Sequence, residues 1–141
     1  MTDQIDVNAI ADVLNGKVDL ADGTNQADVD YVVESQLPTS ENNYTWYRLY
    51  KSGWVEQGGC FTLTVGTSDV RWDANFPITM SDTNYSASVN ANGGNATAIS
   101  IQLESDSTIK VGGYVKCTTG SASSKKIVWI VMGMSAQGGN E

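Results

Sequence analysis

Four carboxylates, Glu34, Glu56, Asp73 and Glu104, are the side chains of this sequence best suited to bond-breaking chemistry. A glycosidic bond is cut by two acids that flank it at about 5–9.5 Å, one of them with a raised pKa. Glu56 is claimed by Arg48 through the hairpin register argued below, and no spacing brings the other three together. Solvated surface acids are the expectation, and no catalytic residue is assigned. Histidine is absent from all 141 residues. That removes Ser-His-Asp and Cys-His nucleophile systems and any His-ligated zinc or iron. Two cysteines, Cys60 and Cys117, are too few for a structural zinc site or a disulfide framework. They are expected as reduced, buried thiols. Asp82-Thr83-Asn84 opens like a calcium loop, but Ala87 stands where that loop needs Gly and Gly93 where it needs Glu. A turn leading into a strand is expected there, with no metal and no cofactor.

Binding chemistry is better served. Carbohydrate recognition uses exposed aromatic faces beside amide and carboxylate groups. Residues 68–75 read as a polar loop that places Trp72 between Arg71 and Asp73. Tyr85 and the Asn-rich residues 90–95 offer similar groups. Trp72, Asp73, Tyr85, Asn92 and Asn95 are therefore the candidate contact residues, with a core or interface role for Trp72 left open.

Charge narrows the partners. Sixteen Asp and Glu against eight Lys and Arg give a net charge of −8, and no basic cluster exceeds Lys125-Lys126. A phosphate backbone is repelled, and an anionic membrane surface is disfavoured for the same reason. With 40% hydrophobic and 17% charged residues the chain reads as one folded domain with a short appendage, not as a disordered polymer. No apolar run approaches the roughly 20 residues of a membrane span, and the polar, acidic opening residues predict no signal peptide.

The elements that must position these groups follow from periodicity. Asp6 can cap a short helix whose apolar residues Val7, Ile10 and Leu14 recur at spacings of three and four, and Gly16 stops it. So short a helix needs partners. Residues 18–27 read as a connector, which divides the chain into 1–30 and 31–141. From Tyr31 onward the period changes to two, and short β-rich runs alternate with Gly, Asn, Ser and Thr clusters. That predicts an all-β fold, an antiparallel sandwich or barrel. Strands are expected at 31–34, 44–50, 54–57, 60–65, 78–80, 85–89, 98–103, 109–116 and 127–134. Turns or loops are expected at 90–95 and 118–124.

Two of these strands carry extra information. A three-residue loop, Lys51-Ser52-Gly53, puts Gly at the left-handed position such loops need. Tyr50 then faces Trp54, Leu49 faces Val55 and Arg48 faces Glu56, so an aromatic, an aliphatic and an opposite-charge pair arise together. Gly58-Gly59 suggests a bulge or corner after this hairpin. In the last strand, Ile127, Trp129 and Val131 point one way, and Val128, Ile130, Met132 and Met134 the other. A sandwich strand normally keeps one wet face. One face is thus expected in the core and the other against a second copy of the chain. Ile10, Leu14, Trp129 and Ile130 are the candidate interface residues.

The hairpin Trp46-Tyr47-Arg48-Leu49-Tyr50 with Gly53-Trp54-Val55-Glu56-Gln57-Gly58-Gly59, preceded by Tyr31-Val32-Val33-Glu34-Ser35 and closed by Ile127-Val128-Trp129-Ile130-Val131-Met132-Gly133, resembles the C-terminal tip of bacteriophage and prophage tail-fibre proteins. Leu14-Asn15-Gly16-Lys17-Val18-Asp19 is similar to segments of tail-fibre shafts. Residues 66–124 carry no motif of that family. The resemblance implies a parallel homotrimer and a β-sandwich similar to the H-type lectin fold. It also implies a place at the distal end of a virion tail fibre, and recognition of a bacterial surface polysaccharide or outer-surface protein without enzymatic activity. A purely structural trimerisation or capping module is the alternative. Some fibre tips of another type hold iron through His-x-His motifs, and this chain has no histidine to do so.

Overall fold

The computed structural model describes residues 29–93 and 98–137. The chain separates into two compact units, residues 1–31 and 32–141. The expected helix at 6–14, with Ile10 and Leu14, lies outside the described residues, as does Asn95. Among its described residues the second unit carries eight strands: β1 (Val32–Gln36), β2 (Trp46–Tyr50), β3 (Trp54–Val65), β4 (Val70–Asn75), β5 (Ser86–Asn92), β6 (Ile99–Ile101), β7 (Lys110–Cys117) and β8 (Ser123–Met134). They form a five-stranded sheet in the order β1-β2-β3-β8-β5 and a three-stranded sheet in the order β4-β7-β6. Every pairing is antiparallel. The all-β expectation and the two-sheet architecture are both realised.

The hairpin forms in the expected register. Leu49 lies opposite Val55 and Arg48 opposite Glu56, and the Gly53 N–H closes the loop on the Tyr50 carbonyl at 2.9 Å with Gly53 at φ +96°. Arg48 lies 3.8 Å from Glu56 and covers the Trp46 ring at 5.8 Å. The Tyr50 hydroxyl adds a bond to Glu56 at 3.2 Å.

Beyond the hairpin the expectation fails at Gly58-Gly59. There is no corner: β3 runs unbroken through both glycines to Val65. The glycines serve clearance instead. A Cβ on Gly58 would stand 2.5 Å from the Trp129 carbonyl and 2.9 Å from the Trp46 indole, and one on Gly59 would meet the Trp129 indole at 3.0 Å. One glycine admits a tryptophan on the outer face of the sheet, the other a tryptophan on the inner face.

The core lies between the two sheets. Tyr47, Leu49, Val55, Val65, Ile127, Trp129 and Val131 of the larger sheet meet Trp72, Ala74, Val111, Val115 and Cys117 of the smaller. Phe61 packs on Trp72 at 6.4 Å and Phe76 on Trp129 at 5.9 Å. Gln57 is a fully buried polar member of this interior, beside Lys125 and Ser135. Its amide donates to the Ile78 carbonyl and accepts from the Ile78 N–H, both at 2.9 Å, so it fastens residues 76–80 to β3. That clamp explains why 78–80 is no strand: the backbone of Ile78 bonds to a side chain, and only Met80 makes a bridge, to Ser135. Both cysteines are free, Cys117 buried and Cys60 half-buried.

Four further expectations are corrected. Residues 70–75 are a strand, not a loop. Asn90 to Asn92 belong to β5, and β8 begins at Ser123 inside the expected loop. Tyr44 is not in a strand, since β2 starts at Trp46.

At the edge of the larger sheet, the Tyr47 hydroxyl donates to Glu34 Oε2 at 2.6 Å. This bond first, then burial, then the Glu34 charge, push the phenol up to about 12 from its ordinary 10.0. A phenol raised on folding contributes stability in full below its unfolded pKa, and that contribution disappears as pH climbs from 10 through about 12. Ultraviolet titration is expected to show one tyrosine ionising near pH 12, and Tyr47→Phe to abolish that step. A wild-type titration with every phenol ionised near 10 would contradict the assignment.

Candidate functional site

The outer face of the five-stranded sheet changes character along its length. Outward residues of β3 run Trp54, Glu56, Gly58, Cys60, Thr62, Thr64, and their partners on β8 run Met134, Met132, Ile130, Val128, Lys126, Ser124. The first four rows are mainly apolar and the last two polar. In the apolar half Trp54 is 37%, Ile130 36%, Met132 37% and Met134 43% exposed. Its single acid, Glu56, is neutralised by Arg48. The expectation of a strand with one core face and one uncovered apolar face is met. The core face is the one carrying Trp129, which is 2% exposed. Trp129 is therefore a residue of this chain's own interior, which corrects its assignment as an interface candidate. Ile130 remains on the uncovered face.

The polar half ends in a cleft made by a mismatch of strand lengths. β3 has twelve residues and β2 five, and β2 follows β3 only as far as Gly58 opposite Trp46. Beyond that row the segment before β2 folds across the uncovered part of β3. A 3₁₀ turn at Ser40–Asn42 holds it, capped reciprocally by Thr39 and Asn42. Asn42 also donates to the Leu37 carbonyl at 2.8 Å, and Gln36 donates to both oxygens of Thr45 at 2.9 Å. These bonds impose a left-handed backbone on two consecutive non-glycine residues, Asn43 at φ +59° and Tyr44 at φ +60°. Such a conformation is uncommon for a bulky side chain and persists only where its surroundings over-determine it. Tyr44 is thereby held outward, 50% exposed.

The resulting cleft has a volume of about 560 Å³ and is lined by Asn43, Tyr44, Cys60, Phe61, Thr62 and Lys126. Asn92 of β5 stands opposite Lys126 on the next strand. A second cleft, of about 280 Å³, shares Asn43, Cys60 and Phe61 with the first and adds Asp73 and Asn75. The arrangement offers one exposed aromatic ring, amides, hydroxyls and one ammonium.

The sequence-derived contact residues divide. Trp72 is 2% exposed and donates its indole N–H to the Gln102 carbonyl at 3.2 Å, so it is a core residue and not a surface one. Tyr85 is half-buried, edge-on to Phe76 at 5.5 Å, with its hydroxyl given to the Ser107 carbonyl. Burial, the largest cause, raises its pKa. It supports the core and does not present a free ring. Asp73 and Asn92 are exposed and stand near the cleft as described. Asn43, Tyr44, Thr62 and Lys126 were missed, and the consecutive asparagines before Tyr44 were the signal for a left-handed turn.

Two of the four candidate carboxylates share one cation. Asp73 and Glu104 meet on the Arg71 guanidinium, at 3.0 Å and 2.5 Å. Hydrogen bonding from Arg71, reinforced by Lys110, holds the Asp73 carboxyl below the usual carboxylate range, the reverse of what a general acid needs. Asp82 accepts the Asn84 N–H at 2.7 Å in a turn ahead of β5, as expected. No group of three or more potential metal ligands occurs among the described residues.

No family model and no curated protein matches the sequence. Among the solved structures that match are two pyocin tail fibres. One is an N-truncated R1-type pyocin tail fibre, with a TM-score of 0.56 and 15% identity over 80% of this chain and 94% of that one. The other is the C-terminal part of the P. aeruginosa R2 pyocin fibre, with a TM-score of 0.48 and 14% identity over 72% of this chain. This chain spans only 26% of that R2 structure.

Proposed function

We propose that this chain is the receptor-binding end of a phage-tail-like fibre, acting as a homotrimer that adheres to a bacterial surface without cutting it. The fold shared with the R1-type pyocin tail fibre supports the fibre assignment. The observation that carries self-association is the apolar half of the outer sheet face, from Trp54 and Met134 to Cys60 and Val128. Soluble monomers rarely expose such a contiguous patch without a use for it. β1 enters the sheet at Val32 opposite Tyr50, and β8 leaves it at Met134 opposite Trp54. The apolar rows lie at this end. The turns at 37–45, 66–69 and 118–122 and the Tyr44 cleft lie at the other, where loops on a rigid scaffold serve recognition. Three modest sites on one trimer raise avidity by about 10²–10⁴. The test combines light scattering with adsorption of the labelled chain to a panel of bacterial strains. A trimer that adsorbs to a subset of strains and releases no reducing sugar is expected. A trimer that adsorbs to none favours the capping module, and a stable monomer removes the oligomer.

A further inference from the structure

We infer that the Tyr44 cleft selects saccharides carrying an acidic substituent, a carboxylate or a phosphate, with Lys126 as the residue that reads the charge. The inference rests on the adhesive reading above and names the ligand class of that site.

Tyr44 offers an exposed aromatic ring, with Phe61 at the floor of the cleft where β3 turns it toward the core, and the C–H faces of a pyranose pack against such a ring. Asn43, Thr62 and Asn92 supply an amide, a hydroxyl and a second amide, and none of these side chains makes a hydrogen bond among the described residues. A sugar presents hydroxyls that both donate and accept, so unpaired groups of both kinds are what it requires. Lys126 is the decisive member. In a chain with eight cations and sixteen acids, Arg48, Arg71, Lys110 and Lys116 are each paired with a carboxylate. Lys126 forms no ion pair among the described residues. Its cross-strand neighbours are Thr62 and Asn92, neither of which is an acid. The overall negative charge opposes anions at long range, and this field is screened beyond about 10 Å at ordinary salt. A local ammonium within a cleft therefore discriminates at contact distance, where one charge-assisted bond counts most. A neutral sugar would leave that ammonium without a partner, and a basic one would be repelled.

The pre-set backbone adds to this. The left-handed Asn43-Tyr44 pair is held by the Thr39–Asn42 cap and by Gln36 before any ligand arrives. Tyr44 need not be ordered on binding, and that saving favours even a small ligand.

The experiment applies the full chain to an array of purified bacterial surface polysaccharides of known composition, acidic and neutral, beside adsorption of the same labelled chain to the source cells. Bound members are expected to be acidic, with at least tenfold weaker binding after their acidic groups are removed. Reduction of carboxylates to alcohols and enzymatic dephosphorylation, applied separately, show which acid is read. Lys126→Gln should lose the preference for acidic members and leave the oligomeric state unchanged by light scattering, while Lys126→Arg retains it. Tyr44→Ala should weaken acidic and neutral binding alike. Equal binding of acidic and neutral members, or an unaltered preference in Lys126→Gln, overturns the inference. If the wild type, Lys126→Gln and Tyr44→Ala adsorb equally to cells, the cleft is excluded and the adhesive reading stands. If the wild type adsorbs to no strain, it is the adhesive reading that fails.

Discussion

Gly113→Ala is expected to unfold much of the smaller sheet. Gly113 sits in β7 with φ +155°, and a Cβ there would lie only 1.9 Å from the carbonyl oxygen of Gln102. That oxygen is fixed backbone. It accepts the Trp72 indole N–H, and the Gln102 N–H is itself bonded to Tyr114 at 2.7 Å. Relieving the clash means moving residues 102–104 away from β7. The move breaks the bonds of Gln102 and Glu104 to β7 and leaves the buried Trp72 N–H unpaired. Each buried donor left unpaired costs about 1–3 kcal/mol, and the forced dihedral adds about 1–3 kcal/mol. A loss of roughly 3–5 kcal/mol from a typical total of about 5–15 kcal/mol is large. Urea unfolding followed by tryptophan fluorescence at fixed protein concentration measures it. A midpoint within error of wild type would show that residues 102–104 shift at no cost.

Substitutions at two consecutive positions of β8 should fail in different ways. Ile130→Asp places a carboxylate on the uncovered face, where the isolated chain can hydrate it. The expected product is folded by circular dichroism and dissociated by light scattering. The self-association contact proposed for this face should weaken by about 3–5 kcal/mol, the cost of an uncompensated charge buried against a partner. Trp129→Asp instead puts the charge among Phe76, Gly59 and the core, and empties the volume of an indole. That variant should not fold at all, and expression should yield aggregate. A trimeric Ile130→Asp would move the subunit contact elsewhere. A soluble Trp129→Asp would show that the interior depends less on that indole than its burial implies.

The difference between these positions was half legible in the sequence. Alternation along β8 separates Trp129 from Ile130 with no further information. It does not say which face meets the smaller sheet, because both are apolar. The hairpin was fully legible because its determinants are local: a glycine at φ +96° and three cross-strand pairs within nine residues of one another. β4 was missed although Val70, Trp72 and Ala74 alternate strictly with Arg71, Asp73 and Asn75. Its outward residues are as polar as a loop's, and only the inward ones reveal the strand. Trp72 was misplaced as a consequence. The cleft could not be read at all. It depends on β3 outrunning β2 and on a cap that bends Asn43 and Tyr44 to the left, and both are facts of tertiary assembly. Gln57 belongs to the same class: a glutamine in a strand gives no hint that it will hold the backbone of Ile78, 21 residues away.

The strand order of the larger sheet also sets a timetable. β8 is inserted between β3 and β5 and pairs with β3 along its entire length, from Trp54 opposite Met134 to Val65 opposite Ser123. When β3 leaves the ribosome its principal neighbour has not been made. Roughly 60 residues must still be added before β8 begins, which takes about 3–12 s at ordinary elongation rates. During that interval β3 has only the β2 hairpin beside it, and β5 has no partner in its own sheet. Closure of the sheet is thus a late event with long-range pairing, the slow kind of β topology. The apolar rows shared by β3 and β8 do not exist as a surface until it occurs. Any contact between copies through that face therefore has to wait until β8 has been made and paired.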